Sequence, residues 1–172
     1  KATLPVGATG DTFLWHLCRT LTGAGLAPVT VISGAAPDAV AAALPPRPRG
    51  VRVVQHPGWA TGQLGSLVAG LDAVDDPLTE AILLALVDTP LVQPSTIVAL
   101  VRRWQETRAP IVRPSRGAEH GHPVIFDRAV FPELRAADPA TGAKPVVRRH
   151  AARIAHVEVD DPGAFRDFDT PA

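Results

Sequence analysis

The sequence predicts a three-layer α/β fold, with helices on both faces of a mostly parallel central sheet. Three observations predict it. Short β-branched stretches alternate with amphipathic ones along the chain, the pattern of successive strand–helix units. The segment AILLALVD (81–88) is an almost unbroken apolar run ending in an acid, which reads as a fully buried, central parallel strand. No interdomain linker or internal repeat interrupts the 172 residues, so one domain spanning 1–172 is expected.

The elements follow in order. TFLWHLCRTLTGA (12–24) is a helix: Thr12 can cap it, Phe13, Leu14, Leu17 and Leu21 recur at helical spacing, and Gly25 stops it. PVTVIS (28–33) is a strand, 37–44 a short helix, PPRPRG (45–50) a loop and VRVVQ (51–55) the next strand. Gly62 to Val74 suits a helix, with Leu64, Leu67, Val68 and Leu71 on one face. Pro94 to Thr107 is a helix with proline in its first turn. APIVRP (109–114) and HPVIF (122–126) are strands, helices follow at about 129–137 and 142–151, and IAHVEV (154–159) is the last strand.

Composition narrows the function. Hydrophobic residues make up 46% of the chain, so it folds around a core. Lys plus Arg and Asp plus Glu balance at 17 each, which gives no global attraction to nucleic acid or to an anionic membrane. No apolar run reaches the length of a membrane span and no signal peptide is visible. A cytoplasmic protein is expected. The lone Cys18 excludes an intramolecular disulfide and a cysteine zinc cluster, and reads as a small core residue.

Four stretches carry candidate chemistry. GATGDTF (7–13) resembles a dinucleotide-binding glycine turn, but no uninterrupted strand feeds it and no acid ends the next strand. Gly7 and Gly10 are better read as a turn into the first helix. Asp88, in VDTPLV, ends the apolar run where parallel sheets bind ligands. It lies too far ahead of Pro94 for a simple cap, which points to a cation. Asp160, Asp161, Asp167 and Asp169 form a second acidic group, and Asp88 with Asp169 makes a candidate Mg²⁺ pair. GWATGQLGSLVAG (58–70) opens a helix through Gly62, Gly65 and Ser66, whose backbone N–H groups suit a phosphate or a base edge. RPSRGAEHGHPVIF (113–126) carries Arg113, Arg116, His120 and His122, a set suited to an anionic substrate. The two histidines lack an evident third ligand for a metal. Lys144, Arg148, Arg149 and Arg153 lie on a helix either as an exposed basic face or, through Lys144 or Arg148, as a phosphate contact.

Together these segments resemble the nucleotidyltransferases that attach a nucleotide to molybdopterin, closest to the molybdenum cofactor cytidylyltransferase-like branch and its guanylyltransferase relatives. That family opens with a strand, an Ala-Gly-x-Ser-x-Arg-Met-Gly loop, a lysine and a Leu-Leu-Pro-Val-like segment. KATLPVG resembles the last part, which makes Lys1 the signature lysine. GWATGQLGSLVAG is similar to its Trp-x-x-Gly-x-x-x-Ser-Leu-x-x-Gly segment, and VDTPLV to its Asp-Met-Pro or Asp-Gln-Pro motif, whose Asp holds Mg²⁺. GHPVIF resembles its Gly-His-Pro-Val-Leu-Phe stretch, TGAKPVV its Gly-Ala-Arg segment and DFDTPA its Asp-Ile-Asp-Thr-Pro motif. The chain departs around His56, where the family commonly has Asn, at Gly65-Ser66 for Ser-Ser, and at Lys144 for Arg.

The resemblance implies a Rossmann-like, glycosyltransferase-A-like nucleotidyltransferase fold and Mg²⁺-dependent transfer of CMP or GMP from CTP or GTP to molybdopterin or a related phosphorylated small molecule. Lys1 and Asp88 would be catalytic, and Gly62, Gly65 and Ser66 would join them in holding the nucleotide. His120, Gly121, His122, Pro123 and Lys144 would line the acceptor side, with the metal on Asp88 and Asp169. The family's first strand and glycine loop would add about 20 residues ahead of Lys1, and without them the sheet should show a central gap. Three alternatives stay open: a cofactor-binding accessory protein that delivers a pterin to a molybdoenzyme, a transferase for another acceptor such as a sugar phosphate or phospholactate, and an NAD(P)-linked reductase.

Overall fold

The computed structural model describes residues 1–7 and 10–168. Its helices are α1 (Phe13–Gly23), α2 (Pro37–Ala42), α3 (Gln63–Val74), α4 (Pro94–Thr107), α5 (Phe131–Arg135) and α6 (Lys144–Arg149). Its strands are β1 (Val29–Ser33), β2 (Val51–Gln55), β3 (Ala81–Leu84), β4 (Ile111–Arg116), β5 (Glu119–His120), β6 (Val124–Asp127) and β7 (Ile154–Glu158). Every expected helix and strand is present. The two-residue β5 and the short 3₁₀ turns, Trp59–Thr61 and Pro162–Ala164 among them, were not legible as periodic patterns.

The strands form two sheets. β1 and β2 pair in parallel, Val29 opposite Val51. The second sheet runs β3–β6–β4, with β7 on the far side of β4 and β5 folded back on its end. β3 and β4 both pair antiparallel with β6, and β7 pairs parallel with β4. So β3, β4 and β7 run one way and β6 runs back, which loosely meets the parallel expectation. The run 81–88 differs from its reading as a buried central strand. Only Ala81–Leu84 is strand, each residue is half-buried, and β3 pairs on one side alone among the described residues. The reason is that, among the described residues, β3 is an edge strand of its sheet and does not pair with β1.

Burial on both faces makes the three layers. Leu64, Leu67 and Leu71 of α3, with Phe131 and Leu134 of α5 and Val146 of α6, pack on Ile111, Val124 and Phe126 of one face. Leu100 and Trp104 of α4 pack on Val112, Ile125 and Ala155 of the other. Leu17 and Leu21 of α1 meet Ile97 of α4, while Leu14 and Cys18 back onto Val29 and Val31 of β1. Each fully buried Leu, Ile or Phe contributes about 1.5–3 kcal/mol through water exclusion.

The opening turn behaves as its glycines predict. Gly7 and Gly10 adopt positive φ, 52° and 75°, which glycine reaches without a Cβ clash. Val6 N–H donates to Asp11 O at 2.8 Å and Phe13 N–H to Leu4 O at 2.7 Å. Thr12 Oγ1 then caps α1 by accepting from Trp15 N–H. Among the described residues the segment is a turn into a helix, with no strand entering it.

Candidate active site

Asp88 stands beyond the end of β3, where the chain turns out of the sheet. Thr89 fixes that turn, its N–H and hydroxyl both donating to Leu86 O at 3.1 and 3.0 Å. Asp88 O accepts from Phe168 N–H at 2.8 Å, and the Phe168 ring meets Phe13 of α1 edge-on at 5.6 Å. The carboxylate has two different oxygens. Oδ2 lies 3.4 Å from Lys1 Nζ, across 87 residues of sequence. Oδ1 is buried and has no hydrogen-bond partner. A buried carboxylate oxygen without a donor is costly, so this atom is poised for a cation.

The GHP loop closes one side of this centre. His122 N–H donates to Ala164 O at 2.8 Å, and Gly121 N–H to Pro114 O at 3.2 Å. A Cβ on Gly121 would collide with Ala164 O and come within 2.9 Å of Phe165 Cδ1, so only glycine permits the approach. The His122 ring lies within electrostatic reach of Asp167 and Asp88. Burial pushes its pKa below the ordinary histidine range, while Asp167, Asp88 and a hydrogen bond to the Leu84 backbone pull the other way. Its Nδ1 is buried without a partner. A neutral imidazole beside Asp88 and Lys1 can bond a ligand without adding charge.

A second corner forms where β1, β2 and α3 meet. Ser33, ending β1, is 1% exposed and its Oγ has no partner. His56 N–H donates to Ser33 O at 2.8 Å, and His56 Nε2 is likewise buried and unpartnered. Gly34 lies against Trp59, where a Cβ would sit 2.7 Å from Trp59 Cβ. Gly62 holds φ at 99°, and α3 starts there with no side-chain cap. Its first N–H groups, from Gln63 onward, thus face the corner unsatisfied by any side chain. A Cβ on Gly65 would strike Thr61 Oγ1 and approach His56 Nε2 to 3.2 Å. The orphaned Ser33 and His56 and the helix N–H groups can together bond a polar ligand.

Against this geometry, the family description MobA-like NTP transferase domain matches residues 1–154. The chain belongs to that family. This MobA-like transferase is therefore a nucleotidyltransferase, taking a nucleoside triphosphate and a phosphorylated acceptor. Solved structures share the fold. The Rv0371c protein of Mycobacterium tuberculosis H37Rv, in complex with manganese, superposes with TM-score 0.77 at 29% identity, over 99% of this chain and 87% of that one. A nucleotidyl transferase from Methanothermobacter gives 0.75 at 22% identity, over 94% and 76%. Molybdopterin-guanine dinucleotide biosynthesis protein A of Archaeoglobus fulgidus gives 0.66 at 13% identity, over 98% and 85%. The last two show shared fold. A search of curated proteins finds no match to this chain.

In this MobA-like transferase the structure brings Lys1 and Asp88 together and sets His122, Gly121 and the buried Pro123 beside them. Gly62, Gly65 and the half-buried Ser66 lie at the α3 corner. Lys144 is exposed at the start of α6 and makes no hydrogen bond or ion pair with these groups among the described residues. His120 is exposed and stacks on His156, ring centroids 4.9 Å apart. Asp169 lies outside the described residues. Asp161, of the same acidic group, is structural: it accepts from Gln93 N–H, Thr96 Oγ1 and Gly163 N–H and so ties the start of α4 to the turn at Pro162–Ala164. Sequence reasoning missed Ser33 and His156, saw His56 only as a departure, and quoted Trp59 only as the start of a similar motif. Ser33 closes a predicted strand, and strand-end position was the signal that could have flagged it.

Proposed function

We propose that this transferase moves CMP or GMP from CTP or GTP to molybdopterin or a related phosphorylated small molecule, releasing pyrophosphate, with Mg²⁺ as its cation. The observation that carries the reading is Asp88: one carboxylate oxygen buried without a donor, the other beside Lys1. Carboxylate, phosphate and water oxygens are the ligands a hard divalent cation takes, so the donor set fits Mg²⁺. Asp88 would hold it, and Asp169 is the second proposed ligand. The manganese bound by the M. tuberculosis relative also supports a divalent cation. When bound, the cation neutralises triphosphate charge.

The chain's own residues do the rest. The Lys1 ammonium faces the same charge. The α3 amides, Ser33 and His56 present donors to the base or ribose, and Trp59 offers a ring for stacking. His120 to Pro123 line the acceptor side and hold it in line with the α-phosphorus. The acceptor's phosphate oxygen forms the new P–O bond as the bond to pyrophosphate breaks, a step governed by positioning and charge. Isothermal titration with CTP, GTP and NADPH, with and without Mg²⁺, tests this reading. Mg²⁺-dependent binding of CTP or GTP is expected. Binding of NADPH with neither triphosphate would refute it.

A further inference from the structure

We propose that Arg113, His120 and His156 form an anion site that holds a phosphate or carboxylate group of the acceptor, separate from the phosphate that reacts at Asp88. The word acceptor rests on the nucleotidyl-transfer reading; the anion site itself does not.

The site follows from register. β4 and β7 run in parallel with Ile111 opposite Ile154 and Arg113 opposite His156. Ile111 and Ile154 pack in the α3–α5–α6 layer, and Val112 and Ala155 in the α4 layer. Strand residues two apart share a face, so Arg113 and His156 look out from the α3–α5–α6 side. There the apolar core ends and basic side chains replace it. β5 folds back on β4, Ser115 opposite His120, and brings the His120 ring onto His156.

Among the described residues no carboxylate pairs with this cluster. Arg113 is half-buried, its Nε has no hydrogen-bond partner, and no carboxylate pairs with it among the described residues. Glu158 turns its carboxylate to Ser115 Oγ and Gly117 N–H rather than to Arg113, and Glu119 pairs with Arg116. Burial and then the Arg113 and His120 charges push the His156 pKa below its ordinary range. A half-buried guanidinium without a counter-charge is unfavourable, and an anion relieves it. A metal ion would add positive charge beside Arg113, so two histidines here do not make a cation site.

Distance separates it from the reaction centre. β6 lies between β3 and β4, so at about 4.8 Å per strand Arg113 stands roughly 10 Å to the side of the strand that leads to Asp88. A group held there is not the α-phosphate. The site therefore selects acceptors that carry a second anionic group.

Inorganic phosphate, titrated without divalent cation, is the probe. It is expected to shift the His120 and His156 imidazole NMR signals. Arg113→Ala should bind it about 10- to 100-fold more weakly, the loss of one charge-assisted hydrogen bond, with Mg²⁺-CTP or Mg²⁺-GTP binding unchanged. Arg113→Gln, which keeps most of the stem, should show the same loss without a lower unfolding midpoint. Phosphate that shifts His122 alone, unaltered phosphate binding in Arg113→Ala, or marked destabilisation by Arg113→Gln would each overturn the proposal. Phosphate binding at Arg113 in a chain that binds neither triphosphate would keep the anion site and remove the transfer reading.

Discussion

At the scale of single residues, the candidate site is marked by atoms left without partners. Asp88 Oδ1, His122 Nδ1, Ser33 Oγ and His56 Nε2 are buried and unsatisfied, and they lie at the Asp88 centre or at the β1–β2–α3 corner. Native proteins leave few such groups, and we propose that these four mark ligand positions. Cys18 is the contrasting case. It is 1% exposed, and burial pushes its thiol up to about 11. The thiolate is the reactive form, so native protein at neutral pH should resist alkylation by iodoacetamide until denatured. Rapid native labelling would place Cys18 elsewhere. Asp88 was legible in sequence because an acid after an apolar run is conspicuous, and Lys1 because it opens a recognisable motif. His156 was not, since only the β4–β7 register sets it beside Arg113.

At the scale of elements, close packing holds the site. Gly121 lies against the 3₁₀ turn at Pro162–Ala164, and His122 N–H bonds that turn. Gly121→Ala should cost about 1–3 kcal/mol, as overpacking does, and reduce turnover further by displacing His122. A variant with normal midpoint and normal turnover would count against this role. α5 and α6 are tied by Glu133, which bonds Arg149 and His150. The Arg149 bond first, then His150, holds the Glu133 carboxyl below its ordinary 4.5. A depressed carboxyl contributes stability above that ordinary value, and loses it as pH falls through the folded one. Unfolding midpoints measured from pH 7 downwards should thus show an acid limb that Glu133→Gln flattens; an unchanged limb would contradict the pairing. Helices were legible because their apolar spacing is local. β5 was not, because two residues carry no period and the pairing with Ser115 and Arg116 defines them.

At the scale of the whole molecule, the division into two sheets is the main architectural fact. β1 and β3 each pair on one side only among the described residues, yet Val29 and Leu83 share one apolar cluster beneath α1 and α4. A parallel strand placed between them would pair with both and join the sheets. Order of elements, layers and strand positions could be read from the chain, whereas sheet division depends on contacts no local pattern encodes. The central claim is that Asp88 supports nucleotidyl transfer. Pyrophosphate release from CTP or GTP in the presence of Mg²⁺ and molybdopterin, compared between the wild type and Asp88→Ala, tests it most directly. The account predicts a native-like circular dichroism spectrum for the variant with release reduced by about 100- to 1,000-fold or more. Full turnover in Asp88→Ala would contradict it.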